Sequence, residues 1–399
     1  MSNKKDPIVL DCTLRDGGYY NNWDFSEELI KDYTQSISKI GIKYVELGFR
    51  SKKSRKFMGP AWHTTDLYLD NLNVPKNLKL GVMINASELP NNRSEILKFI
   101  KENFKIKKKS KLHFVRIAMH DHEVDKSITA CQHLKKLGYF VGLNLMQISK
   151  ISFKKIDIIS QKMQKINLDV FYLADSLGAL NPSDLSKIIN NVKKFYKKPM
   201  GIHAHNNMSM AVKNTMTAYN EGVDWLDCTI LGMGRGPGNA QTEYLINEIA
   251  TLKREKKNIL PILTLIEKHF LDLFKKYNWG TNTFYYLAGL NSIHPTYIQE
   301  MIQTKFKSNE ILEAINLLKD TDASKYNPDL IRSEFQKTIN LKKGTWNPSK
   351  VIKSKDVILI ASGKKSEQYI KHLESYIKIK KPYVIAVNPD VKINNKLPE

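Results

Sequence analysis

Eight times between residues 8 and 231, a short apolar run is followed by a segment with the spacing of an amphipathic helix. The runs are Ile8–Leu14, Tyr44–Phe49, Lys79–Ile84, Phe114–Met119, Phe140–Met146, Val170–Ala174, Met200–Ala204 and Trp225–Leu231. They are apolar almost throughout rather than alternating, as strands covered on both faces must be. Between them, Glu27–Ile40 and Leu185–Phe195 carry apolar residues three and four apart, and Ser26 and Asn181-Pro182-Ser183 supply helix starts. Strand–helix alternation builds a parallel sheet. Eight such units over ~250 residues match a (β/α)8 TIM barrel, so the expected fold class is α/β. An open doubly wound sheet accounts for the alternation, but not for the polar residues that collect at the ends of the runs.

Those residues follow the barrel rule that chemistry sits at the C-terminal ends of the strands. Arg15 and Asp16 follow the first run, Glu46 lies in the second and Arg50 follows it, and His120 and His122 follow the fourth. Asn144 and Gln147 lie on or after the fifth run, Asp175 and Ser176 end the sixth, and His203 and His205 end the seventh. The eighth runs into GMGRGPGN, residues 232–239, which contains Arg235 and Asn239. A guanidinium beside a carboxylate at the end of a buried strand is expensive unless both are used. Gly17-Gly18, directly after, permits a tight turn and close approach of ligand to backbone. His203 and His205 are two apart on a strand and share a face. Two imidazoles and a carboxylate from elsewhere make a three-ligand site for a divalent metal with positions left open.

Composition narrows the classes. The formal charge is +23, from 63 Lys+Arg against 40 Asp+Glu. The lysines are spread along the chain, the tightest run being KIKKKSK at 105–111, and no aromatic–basic interleaving accompanies them. A solvated surface is expected, not a nucleic-acid interface. Cys12, Cys131 and Cys228 are far apart with no CxxC spacing, and read as buried thiols in a reducing compartment. No apolar stretch reaches membrane-spanning length and no secretory segment opens the chain. A cytoplasmic protein without membrane contact is expected.

The segments DCTLRDGG (11–18), VELGF (45–49), VRIAMH (115–120), YLADSLGAL (172–180), GIHAHNN (201–207) and DCTILGMGRGPGNAQTE (227–243) occur in an order that resembles one family. It is the HMGL-like group of metal-dependent aldolases and lyases, related to 4-hydroxy-2-oxovalerate aldolase and hydroxymethylglutaryl-CoA lyase. The resemblance covers residues 6–290 and leans toward the aldolases. It implies a lyase that cleaves or forms a 4-hydroxy-2-oxo acid through a pyruvate-type enolate. It implies Asp16, His203 and His205, with Asn239, as ligands of Mn2+ or Mg2+, Arg15 as the group stabilising the enolate oxygen, and Glu46 as its anchor. Gly17, Asp175, Ser176 and Arg235 are the expected substrate contacts, and a small oxo acid is the expected partner molecule. Acting on a chelated 2-oxo acid, such a metal is a Lewis acid, and a fixed guanidinium adds preorganised stabilisation.

One position departs from the family. The aldolases carry a histidine base shortly after the RDG segment, where this chain has Tyr19-Tyr20. A tyrosine of ordinary pKa, near 10, is a poor base at neutral pH. Three readings stay open: Tyr19 is tuned or serves as a donor, His120 takes the base role, or the substrate needs no such deprotonation. Two other functions also stay open, a condensing enzyme joining an acyl-CoA to a 2-oxo acid, and a silent barrel serving as a scaffold. Metal content separates the scaffold from the enzymes, and a CoA requirement separates the two enzymes.

The expected domains are a catalytic barrel over 1–258, a helical region over 259–350 and a short βαβ segment, a Rossmann-like fragment, over 351–399. Helices from LPILTLIEKHFLDLFKKY onward suit contacts between copies of the chain better than the docking of a partner dehydrogenase that the resemblance also allows. In the last segment, DVILIASGKK and PYVIAV read as strands flanking one helix, with Ser362-Gly363 as a helix cap.

Overall fold

Apolar strands and amphipathic helices in strict alternation bury both strand faces by curling into a cylinder, and the chain does so. In the computed structural model, β1 (Ile8–Asp11), β2 (Tyr44–Phe49), β3 (Lys79–Asn85), β4 (Leu112–Met119), β5 (Phe140–Leu145), β6 (Val170–Asp175), β7 (Met200–Ala204) and β8 (Trp225–Cys228) pair in sequence order. All pairs are parallel, and β8 closes on β1 with Ile8 opposite Trp225 and Leu10 opposite Asp227. The fold is a TIM barrel. The structure describes residues 6–51, 56–330, 352, 356–361 and 369–387.

Helices lie between the strands as the periodicity predicts. Helix Glu27–Lys39 starts at Ser26, whose hydroxyl accepts from Leu29 N–H at 3.2 Å. Helix Pro182–Phe195 starts at Asn181, whose side chain accepts from Asp184 N–H at 3.0 Å. These caps satisfy donors that a helix start leaves free. The main apolar core lies between strands and helices, from Leu14 and Tyr33 through Leu143 to Phe270. A smaller one, Leu10, Cys12, Phe114, Val170, Tyr172 and Trp225, fills the interior of the cylinder. Gly201 makes room for it, since a Cβ there would stand 2.4 Å from the Tyr172 ring.

Two strands stop three residues short of their apolar runs. β1 stops at Asp11 because its carboxylate accepts from Thr13 N–H (2.9 Å) and Thr13 Oγ1 (2.5 Å), turning the chain into helix Thr13–Asn21. Tyr33 and Thr242 hydroxyls also donate to Asp11. Arg15 and Asp16 thus stand on the first turns of a helix, not on a strand end. β8 stops at Cys228, and residues 230–232 form a 3-10 turn with Leu231 at φ 52°.

Two compact units are present, Met1–Ile331 and Arg332–Glu399. In the first, helices Leu260–Leu265, Leu271–Tyr277, Thr283–Leu290, Pro295–Gln303 and Ser308–Leu318 follow the barrel; Leu260–Leu265 packs on helix Glu27–Lys39, and the segments after it reach the mouth. Gln147 donates to the Ser324 carbonyl at 2.6 Å, Thr281 to that of Asn207 at 2.7 Å, and Trp279 to that of Leu231 at 2.9 Å. In the second, β9 (Val357–Ala361) and β10 (Tyr383–Val387) pair in parallel, with helix Ile370–Lys380 between them in the chain. The readings for 331–350 and for Ser362-Gly363 lie outside the described residues. No helix among the described residues is long and apolar enough to cross a membrane.

Candidate active site

Alternation along the strands places a polar layer above the aromatic one. Phe114 and Arg116 are two apart on β4, Trp225 and Asp227 on β8, Tyr44 and Glu46 on β2, and Gly201 and His203 on β7, with His205 just beyond its end in a bridge to Asn239. A register shift between Glu46 and Gly48 marks an irregularity of β2 beside the Glu46 carboxylate.

Five buried charges link into a chain. Asp16 Oδ1 accepts from Arg15 Nη1 at 2.6 Å, and Arg15 Nε donates to Glu46 Oε2 at 2.7 Å. Arg116 donates through Nε to Glu46 Oε1 (2.7 Å) and through Nη2 to Oε2 (2.6 Å). Its third contact, Nη1 to Asp227 Oδ2, is 2.6 Å. Asp227 Oδ2 accepts from His203 Nδ1 at 2.9 Å, and His203 Nε2 stands 3.6 Å from Asp16 Oδ2, where the chain began. All six residues are buried. Each carboxylate in this chain has a cation against it, the condition under which charge is tolerated in an interior.

The protonation pattern follows from these contacts. Burial pushes the Asp16 carboxyl up, but the Arg15 guanidinium and His203 outweigh it and hold it well below the usual carboxylate range. At Asp227 burial is likewise outweighed, by Arg116 and His203, and the pKa is lowered. Burial also disfavours the His203 imidazolium, yet hydrogen bonds to Asp16 and Asp227 raise its pKa. His205 lacks such partners, and burial leaves it neutral, its pKa well below the ordinary value.

The donor set fits a divalent cation. One ligand atom from each of Asp16, His203 and His205 lies within 4.8 Å of the others, and all three residues are buried. The Asp227 carboxylate only accepts, so His203 donates through Nδ1, leaving the Nε2 lone pair toward Asp16, the orientation a metal-bound histidine needs. His205 Nδ1 is buried without a partner. Asn239 donates through Nδ2 to Asp16 Oδ2, and its Oδ1 is buried without a partner beside the same carboxylate.

Beside this set lies a cavity of ≈ 50 Å³ lined by Arg15, Asp16, Tyr19, Ser176, His203, His205 and Arg235, with Phe49, Met83, Asn85, Ala118, Asn144, Met146 and Ala174. Arg15 Nη2 and Asn144 Oδ1 are buried there without partners. A buried donor or acceptor left unpaired is costly, which marks both as places for a ligand. Tyr19 stands at the rim, and desolvation raises its pKa above the ordinary value.

Five of the expected site residues lie outside that lining: Glu46 and Asn239, which stand behind it on Arg15 and Asp16, and His120, Asp175 and Gly17. His120 follows β4 with its ring stacked on His122 at 5.6 Å. Asp175 turns to the N–H groups of Ala179 (3.1 Å) and Leu180 (3.0 Å), and burial lifts its pKa to about 6. Gly17 packs on Met233, where a Cβ would come within 2.7 Å of Sδ. Sequence reasoning missed Arg116 and Asp227, which orient Glu46 and His203. The signal was there: each is a single charge inside an otherwise apolar barrel strand.

The HMGL-like family model matches residues 90–268. An oxaloacetate decarboxylase from Mycobacterium tuberculosis is 28% identical over 244 residues, 61% of this chain and 69% of that protein. A 4-hydroxy-2-oxovalerate aldolase from Carboxydothermus hydrogenoformans is 30% identical over 250 residues, 62% and 71% of the two chains. The solved N-terminal domain of a candidate aldolase from Bacteroides vulgatus is 31% identical, with a TM-score of 0.66 over 77% of this chain and 99% of that one. The chain belongs to the HMGL-like family. This HMGL-like protein is therefore an enzyme of the aldolase and lyase kind, in a family that depends on a divalent metal.

Proposed function

We propose that this HMGL-like enzyme makes and breaks a carbon–carbon bond next to the enolate of a short 2-oxo acid, in the aldolase sense of cleaving or forming a 4-hydroxy-2-oxo acid. The observation that carries the reading is Arg15: clamped by Asp16 and Glu46, it aims a buried, unpartnered Nη2 into the cavity beside the Asp16–His203–His205 set. A divalent cation, Mn2+ or Mg2+, held by Asp16, His203 and His205 with Asn239, would supply Lewis acidity to the keto and carboxylate oxygens of the substrate.

The protein's own groups do the rest. Arg15, already held in place, stabilises negative charge on the enolate oxygen without reorganising. Glu46 and Arg116 keep that guanidinium from turning, and Asp227 keeps His203 in the tautomer that leaves Nε2 free. Ser176 and Arg235 contact the substrate from the lining. Tyr19, with its raised pKa, holds its proton and donates rather than abstracts. His203 and His205 are committed to the cation and His120 is outside the lining, so the reading rests on the enolate half of the reaction.

The test is exchange of pyruvate methyl protons in deuterated water, followed by NMR with Mn2+, with Mg2+ and with chelator. Metal-dependent exchange that disappears in Asp16→Ala is the expected result. Bound metal without exchange would overturn the pyruvate-type enolate, and no bound metal would point to a silent barrel.

A further inference from the structure

The loops that lead into the strands all lie at the end of the barrel opposite the mouth. One of them, residues 104–111, joins helix Arg93–Asn103 to β4 and carries Lys105, Lys107, Lys108 and Lys109 around Ile106. The loop is pinned to its neighbour. The Tyr139 hydroxyl donates to the Lys105 carbonyl at 2.7 Å, and Lys107 N–H donates to the Leu137 carbonyl at 2.9 Å. Lys109 N–H then closes a 3-10 turn on the Ile106 carbonyl at 2.8 Å. Ile106, between these anchors, is 46% exposed. The four lysines make no ion pair among the described residues. Their field reaches the strand: burial lowers the pKa of His113 on β4, and Lys107 and Lys79 lower it further. Solvation accounts for the lysines, but not for an isoleucine held out among them.

A second group stands across the same end. The chain leaving helix Thr242–Lys253 returns beneath β1 and β2. Lys253 pairs with Asp6, just before β1, and Lys257 Nζ lies 3.4 Å from where a Cβ on Gly41 would stand, just before β2. Glu255 is the one acid in residues 254–260. Arg254, Lys256 and Lys257 make no ion pair among the described residues, and Leu260, which follows them, is 63% exposed. In the closed strand order β4 and β5 lie opposite β8 and β1, so the two groups flank the barrel axis. A lone exposed apolar side chain is ordinary. Two on one end of a barrel, each beside unpaired cations, make a face with a basic rim and an apolar tip on either side.

We propose that this end of the barrel docks on an anionic phospholipid surface, with Ile106 and Leu260 entering the headgroup boundary and the lysines meeting lipid phosphates and carboxylates. Lysines near an anionic leaflet are attracted within a Debye length, and an inserted apolar side chain adds burial that charge alone lacks. Nucleic acid is the poorer partner. The 105–109 run has no arginine fork to grip phosphate and no aromatic ring to stack on a base, and a protruding isoleucine gains nothing against a duplex. Docked this way, the mouth of the barrel faces away from the lipid and stays open to a small soluble substrate. The proposal is independent of which reaction the mouth performs.

The test is flotation of the full chain with vesicles of phosphatidylcholine alone, and of phosphatidylcholine with about 30 mol% phosphatidylserine. Binding to the anionic vesicles only is expected, with release at about 1 M salt, where the Debye length is ~3 Å. Lys108→Glu combined with Lys109→Glu should lower the partition by about 30-fold or more. Ile106→Ser should lower it by about 10-fold at an unchanged melting temperature. Ile106→Cys carrying a polarity-sensitive fluorophore should shift to the blue on the anionic vesicles. No partition into anionic vesicles, a partition that neither variant moves, or a fluorophore that does not shift overturns the proposal. A mixed-sequence DNA duplex bound more tightly than the vesicles, released by the lysine substitutions and indifferent to Ile106→Ser, overturns it in favour of nucleic acid.

Discussion

The two halves of the barrel interior are built from the same strands and do opposite things. Below, Phe114, Trp225, Tyr172 and Tyr44 fill the cylinder with aromatic rings, Tyr44 and Trp225 meeting at 4.6 Å. Above, two residues further along β2, β4 and β8, Glu46, Arg116 and Asp227 replace rings with charges. The layers touch where the Arg116 guanidinium lies 4.7 Å from the Tyr172 ring centroid. The lower layer is held by non-directional burial and tolerates reshaping. The upper layer is held by directed ion pairs in which removal of any member strands another. A site that must keep one guanidinium and three ligand atoms in fixed places needs the second kind of packing, and the first kind keeps it rigid.

The sharpest way to break this comparison is at the shared end of the charge chain. Asp16→Ala or Arg15→Met should lower metal-dependent pyruvate exchange by on the order of 10³-fold or more, whereas Trp225→Phe in the lower layer should change melting temperature and leave exchange per folded molecule near its original rate. Comparable losses of exchange from both layers would show that the division of labour is wrong.

Next in size is stability. Arg116→Met strands Glu46 and Asp227 and should destabilise the protein by about 3–5 kcal/mol in urea unfolding, measured without metal. A loss under 1 kcal/mol would mean that the charges are not load-sharing partners.

A buried carboxyl outside this chain of charges sharpens the contrast. Glu243 accepts from Leu231 N–H at 3.1 Å and has no ion pair among the described residues, and burial lifts its pKa from 4.5 to about 7. A raised carboxyl favours the neutral form in the fold. Its contribution is therefore full below pH 4.5 and is lost as pH rises through about 7. Relative to Glu243→Gln, the unaltered protein should lose about 3 kcal/mol of stability across that window. Parallel pH profiles for the two proteins would contradict the assignment.

The smallest expected effect is Asp227→Asn. It preserves shape but gives His203 a neutral partner, and should weaken Mn2+ binding by about 10–100-fold. Unchanged affinity would show that His203 needs no carboxylate to present Nε2.

Much of this was legible without coordinates. The non-alternating apolar runs called for strands covered on both faces, and their number for a closed barrel. Spacing put His203 and His205 on one face. The single charges at 116 and 227 were visible as well, but their meaning was not. A lone charge in an apolar strand reads as an anomaly until its partner, 70 residues away in the case of Glu46 and Arg116, is known to face it. Gly17 and Asp175 read as substrate contacts because they sit in the right segments. One packs on Met233 and the other bonds its own loop, outcomes set by side-chain direction rather than by position along the chain.

The sequence by itself determined the barrel, the end of it where polar residues gather and the kinds of group available there, because periodicity and strand order are local properties. Tertiary structure alone decided how those groups combine. It turned Arg15 and Asp16 onto a helix through the Asp11–Thr13 contacts, closed Asp16, Arg15, Glu46, Arg116, Asp227 and His203 into one chain of charges, and set Arg235 in the lining of the cavity. Electrostatic pairing depends on distance in space, and eight strands that meet around one axis bring together residues such as Asp16 and Asn239, which the chain keeps 223 positions apart.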